Sequence, residues 1–283
     1  MNVFLLRDGN PSHPLGFKLT ASIQLNKTPE LQYLLRLGDT CLILGQRLGE
    51  WCGHGPVLEE DIALTNMSLD LIGQARALLT RAGQLQSPAF DEDQLAFLRD
   101  ERDYFNPTLV ELPNSASGPG KPGDFALTVQ RNLMVATLLK LLWQKLASSS
   151  DAELAAIAGK AVKEARYHQQ HAADWVVRLG DGSDESRRRS QAALNTLWRY
   201  TPELFEADAV DEAAAASGLG PRWADVQADW AAEVGEVLAE ADLQPPADTA
   251  FRSSGKRGVH SEHMGFMLAE MQHLQRAFPG GAW

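Results

Sequence analysis

The chain has 283 residues, 44% of them hydrophobic and 22% charged, an ordinary globular composition with enough length for one large domain and a substantial core. A formal net charge of −11 argues against nucleic acid or an anionic membrane as the main partner, since either selects a basic face. No run of ~18 apolar residues is present, and the first 28 residues, interrupted by Asp8, Pro11 and Pro14, lack a signal-type apolar stretch; the expectation is a cytoplasmic protein with a flexible extension over 1–28 and a single domain over 29–283.

Thr28-Pro29-Glu30 opens the ordered part with a capping residue, a proline suited to the first helical position and an acid beside the positive helix end. The helix predicted to follow runs to about Cys52, where Gly53-His54-Gly55-Pro56 stops it. Its seam of Leu34, Gly38, Cys41, Gly45, Leu48 and Cys52 has small members that let a partner backbone approach. Cys41 and Cys52 are the two cysteines; eleven residues apart on one helix, they cannot pair and read as reduced thiols. A second helix over about 58–82 carries Leu64, Met67, Leu71, Gln74 and Leu78 in steps of three and four, with Gln74 as the polar interruption of an apolar stripe.

A short helix is predicted over 91–103, opened by Asp91 and Gln94 in capping-box spacing, and the Pro- and Gly-rich tract 113–123 reads as a loop. The third long helix, 124–147, is apolar on more than one face through Leu133-Met134-Val135-Ala136-Thr137-Leu138-Leu139 and Leu141-Leu142-Trp143. Such a helix is either central to a bundle or covered by another chain, and part of its surplus over 133–143 is expected to face outward.

The fourth long helix begins with Ser150 and Glu153 in capping-box spacing and ends at Gly180-Asp181-Gly182. Leu154, Ala158, Ala161, Ala165, His168, Ala172, Trp175 and Leu179 form its inward seam. In ferritin-like di-iron bundles a carboxylate three residues before a histidine projects with it toward one metal. Here Ala165 stands three residues before His168, and alanine cannot ligate. A histidine so placed reads equally as a buried group hydrogen-bonded to a neighbouring side chain or water.

Shorter helices are predicted over 184–199, 202–216 with a break, and 221–241. A basic segment, Arg252-Ser253-Ser254-Gly255-Lys256-Arg257-Gly258, precedes a last helix over 261–278. Alternating strand patterns are missing, so the fold class is all-α, a four-long-helix bundle with additional shorter helices. The His168/His171 and His260/His263 pairs would form a metal- or ligand-binding site only if the fold brought their helices together. Glu270 and His273 read as an exposed helix face, and the basic stretch 252–263 as a solvated loop or a site for a phosphate or an acidic partner. Neither a nucleotide fingerprint nor a nucleophile elbow is present.

Five stretches together resemble one family: Leu37-Gly38-Asp39; Gln46-Arg47-Leu48-Gly49-Glu50-Trp51-Cys52-Gly53-His54; Leu69-Asp70-Leu71-Ile72-Gly73-Gln74-Ala75-Arg76; Lys163-Glu164-Ala165-Arg166-Tyr167-His168; and His260-Ser261-Glu262-His263 through Leu268-Ala269-Glu270-Met271-Gln272. From residue 29 to the end the chain resembles the C subunits of multicomponent ring-1,2-phenylacetyl-CoA epoxidases, with 1–28 outside the resemblance. The resemblance implies a ferritin-like fold, no catalytic residue and no cofactor on this chain, and a supporting role beside a homologous catalytic di-iron subunit and other components, with self-association also open. It places the lost ligand positions at Leu71 and Gln74 on the second helix and Ala165 and His168 on the fourth. The third helix has no Asp or Glu between Phe125 and Leu146, and Asp39 on the first, about 200° from Cys41, is expected to turn away from the seam.

Overall fold

The computed structural model describes residues 21–115, 123–279 and 281, and among these the chain is helical with no strand, apart from one isolated bridge between Ser254 and Val259. Helix α1 (Pro29–Gly49) is capped as the sequence predicts: Thr28 Oγ1 accepts the Leu31 N–H at 3.2 Å and Pro29 sits in the first turn. It stops at Gly49, so Cys52 lies beyond it and is exposed, whereas Cys41 is buried and both thiols are free. Of the expected extension, residues 1–20 lie outside the described residues, while 21–28 run along the fold as coil, with Ile23 donating its N–H to the Leu98 carbonyl.

Helix α2 (Leu58–Gln84) folds back on α1, and Leu64, Met67, Leu71, Gln74 and Leu78 are all buried. Gly45 allows the close approach: a Cβ there would stand 3.2 Å from Ile72 Cγ1 and 3.3 Å from the Ser68 carbonyl oxygen. Helix α3 (Glu92–Phe97) has the predicted Asp91/Gln94 capping box but ends early, and the rest of the expected helix becomes a 3₁₀ turn, Glu101–Asp103. Tertiary contacts take over the backbone there. The Leu98 carbonyl accepts from Ile23, the Arg99 carbonyl accepts from Gln272 and Arg276, and Arg99 donates to the Asp103 carbonyl.

After the short α4 (Thr108–Glu111), helices α5 (Phe125–Leu146) and α6 (Ala152–Gly180) form the second long hairpin. The N-cap of α6 is Asp151, not Ser150; its carboxylate accepts the N–H groups of Glu153 and Leu154. The seam follows the expected positions through Ala172, then moves to Val176 and Gly180, leaving Trp175 and Leu179 half-buried. A helix of 3.6 residues per turn drifts from a stricter repeat over so many turns. Gly180 ends up against the carbonyl oxygen of Ala241, where a Cβ would stand only 2.1 Å from that atom.

The expected outward apolar surface on 133–143 is not there. Leu133 to Leu139, Leu141, Leu142 and Trp143 are all buried within this chain, because α7 (Asp184–Trp198) and α10 (Gln227–Glu240) pack on α5 beside α6, while α8 (Pro202–Phe205) packs on the turn at 223–226 and α9 (Ala209–Ser217) on α1. Gln130 donates to Ser190 Oγ on α7 at 3.0 Å, and Trp230 Nε1 on α10 donates to the Met134 carbonyl at 2.8 Å. Helix α5 is long and apolar enough to cross a membrane, but 94% of its most apolar window is buried inside the fold.

The tail departs from the solvated basic loop expected of it. Lys256 is buried, donates to the carbonyls of Leu204 and Glu206, and lies over the Trp223 ring. Burial pushes its ammonium down to about 8 despite the nearby carboxylates. The chain then enters α11 (Glu262–Met271) and α12 (His273–Ala277) instead of one helix, with Glu270 and His273 exposed as expected.

Candidate functional site: a small pocket between the four long helices

The four positions singled out on α2 and α6 converge. Leu71, Gln74, Ala165 and His168 line one small internal cavity with Leu44 and Leu48 of α1, Met67 of α2, and Asn132, Ala136 and Leu139 of α5. All four long helices therefore meet there, as the helical periodicity requires if each buries its seam. The cavity measures about 10 Å³, about the volume needed for one water.

Polar bonds across the α2–α6 seam surround it. His168 is 4% exposed, and its Nε2 lies 3.1 Å from Asp70 Oδ2. Gln74 Nε2 donates to Glu164 Oε2 at 2.9 Å, and its Oε1 accepts from Cys41 Sγ at 3.5 Å. Farther along, His171 Nε2 lies 2.8 Å from Glu60 Oε2, and Arg81 donates to Asp151 at 2.8 Å. The two inner bonds are reciprocal, each helix supplying an acid and, four residues on, the group that meets the other helix's acid.

Each of these acids directly precedes one of the pocket positions singled out in the sequence, Asp70 before Leu71 and Glu164 before Ala165. One residue is about 100° of helical rotation, enough to move a carboxylate from the pocket to its rim. Burial depresses the His168 pKa below its ordinary value, against the opposing pull of the Asp70 hydrogen bond and charge. The imidazole is therefore neutral at pH 7. Burial also pushes the Cys41 thiol up, so it stays protonated.

Asp39 is turned away from the pocket, but not toward solvent. It is fully buried and forms a bidentate ion pair with Arg99, whose Nη1 is 3.0 Å from Asp39 Oδ2, and it also accepts the Phe105 N–H at 2.8 Å. The two histidine pairs do not converge on one site. His260 Nδ1 lies 2.8 Å from Glu111 and its Nε2 3.0 Å from the Tyr104 carbonyl, while His168 and His171 face α2. Among the described residues no group of three or more His, Cys, Asp or Glu side chains converges in a way that would hold a metal.

A di-iron centre does not fit this donor set. Two metal ions ~3.5–4 Å apart need several carboxylates and imidazoles around them, whereas Leu71 and Ala165 offer no donor atom and the space admits one water. Asn132 is a polar pocket residue that the sequence did not single out. It is 3% exposed, and both its amide atoms lack a hydrogen-bond partner within the protein. The run Gln130-Arg131-Asn132 inside an otherwise apolar helix is the signal that would have found it. Asp70 and Glu164 carry no such signal, because acids next to a seam are ordinary on amphipathic helices.

Comparison with known proteins agrees with this architecture. The family described as "Phenylacetic acid catabolic protein" matches residues 18–283, so the match takes in residues 18–28 as well, beyond the stretches that carry the resemblance. Over 251 residues, 89% of this chain and 98% of the relative, the chain is 49% identical to the C subunit of 1,2-phenylacetyl-CoA epoxidase from Escherichia coli strain K12.

Proposed function

Because the chain belongs to the phenylacetic acid catabolic protein family, we propose that it acts in phenylacetate catabolism as the iron-free structural subunit of a 1,2-phenylacetyl-CoA epoxidase. On this reading it supports a homologous di-iron catalytic subunit and contributes no catalytic residue of its own. The observation that supports the proposal is the pocket at the centre of the bundle, where Leu71 and Ala165, at the positions that the resemblance assigns to ligands, leave room for one water. Apolar filling favours such a role energetically. An empty cluster of carboxylates in the same place would have to be protonated or paired, whereas each methylene buried instead contributes about 0.8 kcal/mol.

The test is metal analysis of the purified chain together with co-expression beside the catalytic subunit. The expected result is far less than one iron per chain, no epoxidation of phenylacetyl-CoA by this chain alone, and co-purification with the catalytic subunit. Two irons per chain, or a catalytic subunit equally stable and active without this chain, would overturn the proposal.

A further inference from the structure

After α10 the chain passes the end of α7 as a coil over 244–251, and this coil is held at both ends. Gln191 of α7 donates to the Gln244 carbonyl at 2.7 Å and accepts the Gln244 N–H at 2.9 Å. At the other end Arg252 Nη1 donates to the carbonyls of Thr249 and Phe251, both at 2.7 Å. Between the two anchors Pro245 and Pro246 fix their own backbone torsions. The coil and the end of α7 enclose a cleft of about 260 Å³, walled by Trp198, Pro202, Pro246 and Phe251. Both rings are half-buried, and each is steadied by another: Trp198 by Trp230 at 5.8 Å, and Phe251 edge-on by Tyr200 at 5.1 Å.

Arg199 lies on the same wall, its guanidinium carbon 3.8 Å from the centre of the Phe251 ring. Its side chain makes neither a hydrogen bond nor an ion pair with any described residue. A guanidinium stacked on a ring is held in place and still offers its planar fork of N–H donors, the geometry that a carboxylate meets with two bonds. We propose that this cleft binds a small aromatic monocarboxylate, its ring among the aromatic and proline walls and its carboxylate on the fork of Arg199. The volume is below the ~300–1,000 Å³ of sites for drug-sized ligands, so a free acid fits and its coenzyme A thioester does not. Asp248, exposed on the same wall, adds a negative charge that disfavours phosphorylated or otherwise polyanionic ligands and leaves a monoanion. The site belongs to this chain alone and does not depend on a role in epoxidation.

The experiment is titration of the full chain with phenylacetate, followed by tryptophan fluorescence and by ligand-observed NMR. The expected result is saturable one-to-one binding with a Kd below about 1 mM, with no competition from acetate, which lacks the ring. Arg199→Gln should raise the Kd at least about tenfold without changing the circular dichroism, because the side chain is exposed, and Arg199→Lys should fall between, keeping the charge without the fork. Phe251→Ala should weaken binding as well, although Arg199 is still present. Asp248→Asn should tighten it about two- to threefold. Absence of saturation at about 10 mM, or a Kd unchanged by Arg199→Gln, would overturn the proposal. Phenethylamine bound more tightly than phenylacetate would give the cleft to a cation through Asp248 and overturn it too, as would phenylacetyl-CoA displacing phenylacetate at a lower concentration than the acid itself requires.

Discussion

His168 on α6 reaches Asp70 on α2 at 3.1 Å, and this bond ties the two helices together beside the central pocket. The imidazole is buried while the Asp70 side chain is 39% exposed, so the two ends of the bond face different media. His168→Leu removes the donor from the dry side and leaves an acid that water can reach. The expected loss of stability is therefore about 1–2 kcal/mol, the lower part of the range for an orphaned buried partner. Urea unfolding of the two proteins measures it, and a loss above about 4 kcal/mol would mean that the histidine does more than hydrogen-bond Asp70.

The two buried histidines should give stability–pH slopes of opposite sign. His168 has a depressed folded pKa, so the unfolded chain binds the extra proton; its contribution is present above the ordinary 6.5 and is lost as pH falls through the folded value. Burial alone would lower His260 too, but the Glu111 hydrogen bond and charge and the Tyr104 carbonyl lift it above 6.5. Its contribution is complete below 6.5 and is lost as pH rises through the folded value. Melting temperature against pH in His168→Leu should flatten on the acid side, and in His260→Leu on the neutral side. Identical profiles for the two variants would contradict the assignment.

Asp39 shows what a linear reading cannot supply. Its angular offset from Cys41 excluded it correctly from the pocket, but its partner Arg99 lies sixty residues away, and no local pattern announces that both are fully buried. Caps and seams were legible because they rest on contacts within one or two turns: Thr28, Asp91 and the α2 stripe all stand where expected. The burial of Lys256 and the covering of α5 depend on how later helices return to earlier ones, and composition and periodicity do not encode that. Asp39→Ala should destabilise the chain by about 3–5 kcal/mol, since it leaves Arg99 buried without its charge partner. Asp39→Leu with Arg99→Met should recover much of that loss, and a double variant no better than the single would show that the Phe105 N–H matters more than the charge.

Glu111 anchors the tail. Its fully buried carboxylate accepts from Asn106 Nδ2 and from the Ser261 N–H, and meets His260 Nδ1. Glu111→Ala leaves those groups without an acceptor, so the stretch 252–262 should open more often than the rest of the fold. Limited proteolysis should cut there first, at arginine or lysine, in the variant and much more slowly in the unchanged chain. Equal cleavage in both would show that Glu203, which accepts the Lys256 N–H at 2.8 Å and the Ser253 hydroxyl, holds the segment without help.

Placing ligands at the positions that the resemblance assigns to them is the most direct challenge to the proposed iron-free role. Leu71→Glu, Gln74→His and Ala165→Glu together would give both α2 and α6 a Glu-x-x-His pair. Helix α5 would still contribute no acid, and the Asp39 carboxylate of α1 would stay bound to Arg99 on the far side. Two new carboxylates would also enter a space of about 10 Å³ in which Ala165 now packs closely, adding overpacking to desolvation. The expected outcome is a loss of about 3 kcal/mol or more, with iron uptake staying well below two per chain even when ferrous iron is supplied during refolding. Stoichiometric iron in the triple variant would mean that Asn132 or a rearranged Asp70 and Glu164 completes a site, and that the pocket lacks only three side chains.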